Sequence, residues 1–407
     1  MPKNFKLPIL KYLFEIPLFP IYYFSCFIPK KNNIWIFETF NGKKFAENSK
    51  YLVLYVKRNH PEIRPILLTR KQRVIEDLRR KDLEIYKTFS LKSFFYSMQA
   101  ACVIVSWDIE DVNPFVIGRA KKINLWHGIA PKKGDYEEKT NFFKFLAKVR
   151  NKIFPFINPN WDAFITTSEE NKKFVSFCYL AKNNSFTPIT GYPRDDALSN
   201  APWLLDNKCS QLEDIRKKIN FKYVFTYLPT HRGGKKKINL FENYGFKIDE
   251  VEKSLKDLNA ILIIKSHLIN GGKFNLSIPQ QNPQVIYSFS DDELPDVYPL
   301  LKETDVLITD YSSVFADYLL LNRPIIFTPF DINEYEKEVG FHYNYNEITP
   351  GPKAKNWQEV FDLIKKIIQK DDWREAREKI CKRFYRFKDN KNSERVFKVI
   401  KEMLYKR

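Results

Sequence analysis

No stretch of this 407-residue chain runs for the ~20 uninterrupted apolar residues that a bilayer-crossing helix needs. The most apolar segment, "FKLPILKYLFEIPLFPIYYFSCFIPKKNN" (5–33), is broken by Lys11 and Glu15 and by Pro8, Pro17 and Pro20, so it reads neither as a span nor as a signal peptide. CxxC spacing is missing as well. The five cysteines, Cys26, Cys102, Cys178, Cys209 and Cys381, are scattered and odd in number, which argues against a secreted disulfide framework and for a reducing cytoplasm. There is no GxxxxGK[ST], and "NGGK" (270–273) is too short and follows the wrong element to cradle a nucleotide as a P-loop does. HExxH, clustered Cys and His, and Asp-rich calcium loops are absent, so no metal site is read. "DIEDV" (108–112) is an acidic cluster, either a metal ligand set or a solvated loop. No repeat or long low-complexity tract occurs.

What is present is apolar enough to fold: 44% hydrophobic and 16% aromatic residues rule out a mainly disordered chain. The length exceeds what one core usually supports, so two domains are expected. Lys and Arg exceed Asp and Glu by 68 to 49, a net +19 that favours an anionic partner without choosing among nucleic acid, a phosphorylated substrate and an acidic membrane. The N-terminal segment, closed by Lys30 and Lys31, is read as lying in a lipid interface beside anionic headgroups. The alternative is an element packed on the first domain.

Short apolar runs alternate with charged helical stretches. "NIWIFE" (33–38), "RPILLT" (64–69), "ACVIVS" (101–106), "KINLWHG" (122–128) and "DAFITTS" (162–168) read as strands of a parallel sheet. The stretch "AENSKYLVLYVKRNH" has helical spacing, with Asn48 or Ser49 near its start. Around 199–212 strand character is lost, and a second series follows: "YVFTYLPT" (223–230), "AILIIKSH" (260–267), "QVIYSF" (284–289), "DVLITD" (305–310) and "RPIIFT" (323–328). Two successive doubly wound α/β units, joined near residue 200, are expected, with a charged helical tail after 373.

Ligands of open α/β sheets bind beyond the carboxyl ends of the strands. Three of the five histidines, His127, His231 and His267, stand at such endings. "TDYSSVFADYLLL" offers Thr309 and Asp310 at a strand end and Ser312 and Ser313 at a helix start, where free N–H groups and hydroxyls can receive phosphate oxygens. One serine as a simple cap is the alternative. Asp317, one turn on, can meet a ligand hydroxyl or orient backbone. In "NLWHGIAPKKG", His127 can take a proton from an attacking hydroxyl, and Gly128 permits close approach; a core histidine is the bland reading. "LIIKSHLING" adds Lys265 and His267, and "YLPTHRGG" adds Thr230, His231 and Arg232, whose guanidinium fork suits a phosphate.

These motifs carry a resemblance. "LWHGIAPKKG", "TSEEN", "TGYPRDDAL", "YLPTHRGG", "IIKSHLI", "DVYPLLKETDVLITDYSSVFADYLLLNRPIIF", "EYEKEVGFHYNYNEITPGP" and "RFKDNKNSERV", in that order from about 120 to 400, resemble the CDP-glycerol glycerophosphotransferase family of teichoic-acid and capsule primases and polymerases. The first 110 residues match loosely, through "NGKKFAENSKYL". The resemblance implies two Rossmann-like doubly wound domains facing a central cleft, as in glycosyltransferase B folds. It divides the chain into a membrane-interface segment (1–31), an acceptor-binding domain (32–200), a CDP-alditol-binding domain (201–385) and a C-terminal helix (386–407).

It further implies transfer of glycerol phosphate, or ribitol phosphate, from a CDP-alditol to a hydroxyl of a lipid-linked or growing cell-surface glycan, with release of CMP. His127 would be the base and His267 would assist at the phosphates. Thr309, Ser312, Ser313 and Arg232 would hold the pyrophosphate, with Gly128, Thr230, Lys265, Asp310 and Asp317 as further substrate-binding residues. No cofactor is called for beyond the CDP-glycerol or CDP-ribitol donor, and with no metal motif, hydroxyls and basic side chains would do much of what Mg²⁺ does elsewhere. The implied partners are donor, glycan acceptor and an anionic membrane surface at its cytoplasmic face, with no nucleic acid. Two rival readings are a nucleotide-sugar glycosyltransferase of the same architecture and a non-enzymatic basic module at a membrane surface.

Overall fold

Strands that are apolar on both faces must be covered on both faces, and parallel pairing with crossover helices does this. The computed structural model describes residues 18–129, 161–176, 186–205, 207–230, 239–265 and 284–405. The chain divides into two compact units, the first holding Met1–His127, Glu138–Arg194 and Lys391–Arg407, the second Gly128–Glu137 and Asp195–Asn390.

In the first unit, β1 (Lys31–Glu38), β2 (Arg64–Thr69), β3 (Ile85–Lys87), β4 (Ala100–Val105), β5 (Lys121–Asn124) and β6 (Ala163–Phe164) form a parallel sheet of order β3-β2-β1-β4-β5-β6. Ile34, Ile36, Ile66, Leu68, Val103 and Val105, alternate residues on three strands, enter one core cluster. The order reverses between β1 and β4, which places a topological switch point at their carboxyl ends.

The second unit repeats this plan with β7 (Tyr223–Leu228), β8 (Ala260–Lys265), β9 (Ile286–Phe289), β10 (Val306–Thr309) and β11 (Ile325–Phe327), all parallel in the order β11-β10-β7-β8-β9. Phe225, Tyr227, Leu262 and Ile264 face the helix Trp357–Gln369, whose Trp357, Val360, Phe361, Ile364 and Ile367 make a stripe at helical spacing. Val224, Ile261 and Ile263 face the opposite way, toward Leu212 and Ile215. Both faces are therefore covered. The switch point lies between β7 and β10.

Several expectations change. The segment 122–128 stops being a strand at Asn124, 162–168 keeps strand geometry only at Ala163–Phe164, and the edge strand β3, with one buried residue, was unforeseen. The helix Glu47–Asn59 starts from Ala46 without a side-chain cap; Asn48 and Ser49 lie inside it and are buried. The charged tail is two helices, Arg374–Phe384 in the second unit and Asn392–Tyr405 in the first, where Phe397 stacks on His60 at 3.5 Å between ring centroids.

The N-terminal segment also differs. Residues 1–17 lie outside the described part, and Phe19–Phe27 is a helix docked on the first unit: Ser25 Oγ donates to Tyr22 O and accepts from Gly118 N at 2.9 Å. Lys30 is half-buried, donating to Met98 O at 2.6 Å, and burial lowers its pKa to about 8. Ile21, Tyr23, Phe24 and Phe27 remain exposed. No helix among the described residues is long and apolar enough to cross a membrane.

Candidate functional site

His127 stands three residues beyond β5, at the carboxyl end of the first sheet. Its ring is half-buried between Trp107 (4.1 Å between centroids) and Trp126 (4.4 Å). The backbone there is unusual: Trp126 has φ +60° and Gly128 φ +143°. A left-handed tryptophan costs about 1–3 kcal/mol and persists only where its surroundings determine it fully; at Gly128 the absent Cβ removes that cost.

Those surroundings are polar and buried. Trp126 N donates to Asn124 Oδ1 at 2.8 Å, and Asn48 Nδ2 donates to Trp126 O at 2.8 Å and to Leu125 O at 3.3 Å. Asn48 Oδ1 accepts from Arg194 N at 3.1 Å, while Arg194 Nη1 donates to His127 O at 2.9 Å and pairs with the Glu47 carboxylate. Sequence reading quoted both motifs and gave Asn48 and Arg194 no role in the site. The available signal was an asparagine on the apolar face of a helix.

At the first switch point, Glu38 Oε1 accepts from Ser106 N, across from β1 to the residue after β4. The Glu38 carboxyl hydrogen-bonds to the neighbouring Asp111 carboxyl, so the pair shares a proton. Burial and the neighbouring Asp111 carboxyl hold Glu38 well above the usual carboxyl range, and burial raises Asp111 too. In "DIEDV", Asp108 and Glu110 are exposed, as a solvated loop expects, while Asp108 caps a short 3-10 turn, Ile109–Asp111, and Asp111 is buried.

In the second unit the strand-end residues gather at β7 and β10. Asp310, fully buried, accepts at Oδ1 from Thr230 N (2.8 Å) and from Tyr311 N, tying the loop after β7 to the loop after β10. Thr309 is also fully buried and its hydroxyl donates to Leu228 O at 2.7 Å, so it fastens two strands rather than facing a diphosphate. Ser312 and Ser313 are half-exposed; Val314 N reaches Ser312 Oγ only at 3.5 Å, and Ser313 makes no side-chain cap. The helix they precede, Val314–Tyr318, has five residues, so its loop amides and hydroxyls matter more than a macrodipole.

Asp317 is the clearest revision. It is 2% exposed, and Tyr298 and Tyr385 each donate a phenol to one of its carboxylate oxygens at 2.6 Å, which leaves it anchoring the second unit rather than meeting a ligand. Lys265 ends β8 with Nζ 2.6 Å from Asp291 Oδ1, its charge already matched. Arg232, His231 and His267 lie outside the described residues. No group of three potential metal ligands occurs among the described residues.

Comparison with known proteins follows the same chain. Residues 21–402 match the family model described as CDP-Glycerol:Poly(glycerophosphate) glycerophosphotransferase. A teichoic acid poly(glycerol phosphate) polymerase of Bacillus subtilis is 28% identical over 367 residues, 84% of this chain and 45% of that protein, so the chain spans under half of that relative. A teichoic acid glycerol-phosphate transferase of Staphylococcus aureus is 26% identical over 404 residues, 96% of this chain and 98% of that one. Among solved structures, the wall teichoic acid polymerase TagF soaked with CDPG superposes with a TM-score of 0.71 at 22% identity, covering 100% of this chain and 99% of that chain. That likeness bears out the expected pair of doubly wound α/β units.

Proposed function

Since the chain belongs to the CDP-glycerol:poly(glycerophosphate) glycerophosphotransferase family, we propose that it transfers glycerol phosphate from CDP-glycerol to a hydroxyl of a lipid-linked or growing teichoic-acid-type glycan, releasing CMP. CDP-ribitol is the second donor to test. The acceptor oxygen attacks the phosphorus that carries the alditol, its proton passes to the His127 imidazole, and the bond to the CMP phosphate oxygen breaks in line. Such transfer needs an activated hydroxyl, alignment and charge neutralisation more than covalent help. Arg232, Ser312, Ser313 and the Thr230 loop would receive the diphosphate oxygens, and His267 would offset charge on the leaving phosphate.

The observation that carries this reading is His127 itself, a half-buried imidazole held between Trp107 and Trp126 at the carboxyl end of a parallel strand. The test measures CMP release from CDP-glycerol and CDP-ribitol beside UDP or GDP release from sugar nucleotides. CMP release, reduced by about 10²–10⁴-fold in His127→Ala, is expected. Turnover of a sugar nucleotide alone would replace the reading with a glycosyltransferase.

Attachment to the cytoplasmic membrane face is part of the same proposal. Phe24 and Phe27 are 58% and 81% exposed on the docked N-terminal helix, and a chain of net charge +19 suits anionic headgroups. Replacing both with serine should weaken cosedimentation with phosphatidylglycerol vesicles. Undiminished binding would move attachment to another surface.

A further inference from the structure

The carbonyls of Leu125, Trp126 and His127 each accept a hydrogen bond from a side chain, two from Asn48 and the third from Arg194. Asn48 is fully buried and Arg194 is 1% exposed, so water is a poor substitute for either donor. The two donors are themselves joined, since Asn48 Oδ1 accepts from Arg194 N at 3.1 Å, and Glu47, adjacent to Asn48, pairs with the guanidinium. Glu47 has φ +63°, as unusual for a non-glycine residue as Trp126. Two strained backbone positions therefore face each other through one hydrogen-bonded clamp.

We propose that Asn48 and Arg194 are positioning residues of the transfer reaction: they hold the Trp126–His127–Gly128 turn in its left-handed course and thereby fix where the His127 imidazole meets the acceptor hydroxyl. This rests on His127 as the base. The clamp holds the turn through its backbone carbonyls, so donor affinity should not depend on it. The rate does, because a displacement of about 1 Å at a reacting group costs about 10²-fold.

Asn48→Asp keeps the shape and replaces the Nδ2 donor with an acceptor facing two carbonyls. Arg194→Lys keeps the charge and loses the fork; Arg194→Gln loses both. Expected for Asn48→Asp is a kcat for CMP release about 10²-fold lower with donor KM within about 2-fold. Arg194→Lys should retain more activity than Arg194→Gln. In a His127→Ala background, Asn48→Asp should add less than about 3-fold, since a clamp acting through an absent imidazole has nothing left to position.

Full additivity in that background, or a rise in donor KM at unchanged kcat, overturns the inference. A His127→Ala enzyme of normal rate overturns the reading of the base instead, which separates the two failures. If Asn48→Asp does not fold, the Arg194 pair decides: equal losses in both, tracking only their melting temperatures, make the clamp structural and refute the proposal.

Discussion

Each unit closes its switch point with one buried acid, and the two acids reach in opposite directions. In the first, Glu38 at the end of β1 accepts from Ser106 N beyond β4; in the second, Asp310 beyond β10 accepts from Thr230 N beyond β7. The difference lies in the remaining donors. Asp310 Oδ1 also takes Tyr311 N. Glu38 Oε1 also lies 3.5 Å from the Ser49 hydroxyl, the Ser106 hydroxyl reaches the same carboxyl, and the neighbouring acid Asp111 hydrogen-bonds to it. One junction is built from backbone amides, and the other needs a proton to be comfortable. The same topology thus gives an acid fastened by two backbone amides in one half and a pair of neighbouring buried carboxyls in the other.

The largest test of this contrast is Asp310→Ala. Two buried amides lose their acceptor, and each unsatisfied group costs about 1–3 kcal/mol, so roughly 3 kcal/mol of stability should disappear in urea denaturation, with donor turnover falling alongside. A loss below about 1 kcal/mol would mean that the β7 and β10 loops are held by other contacts and that the parallel between the two acids is superficial.

Next in size is Asp317→Asn. Two phenols now meet one amide, so about 1–2 kcal/mol should be lost while donor KM stays unchanged. A several-fold rise in KM with full stability would return Asp317 to the ligand.

How far the sequence discloses this can be judged residue by residue. Strand interiors were legible because burial on both faces leaves apolar runs such as "AILII", while the strands were read too long: His127, Thr230 and Asp310 fall inside the expected strands 122–128, 223–230 and 305–310 and lie beyond the observed ones. The direction of a side chain at an ending was not legible. Thr309 and Asp317 look like ligand groups in one dimension and prove to be satisfied by Leu228 O and by two phenols. Asn48 stands near a helix start, where a polar residue draws no notice because such residues are common there. Its actual partners lie 77 and 78 residues away, and no local pattern encodes them. The left-handed Trp126 has no periodicity to betray it either.

The smallest and most discriminating change is Glu38→Gln. Facing the Glu38–Asp111 pair are Arg70, whose Nη2 is 3.3 Å from Asp111 Oδ1, and the acids Asp108 and Glu110, with the neutral Ser49 and Ser106 on the other side. A raised carboxyl in the folded state means that the native protein binds more protons than the unfolded chain. The stabilisation is complete below the ordinary carboxyl range and is lost as pH rises through the elevated value. Glutamine keeps an oxygen for Ser106 N and offers an amide donor to Asp111, so its fold has no proton to lose at this position. The variant should therefore gain on the wild type steadily as pH rises from the ordinary carboxyl range, read as diverging melting curves. Parallel pH curves for Glu38→Gln and wild type would erase the difference between the two junctions.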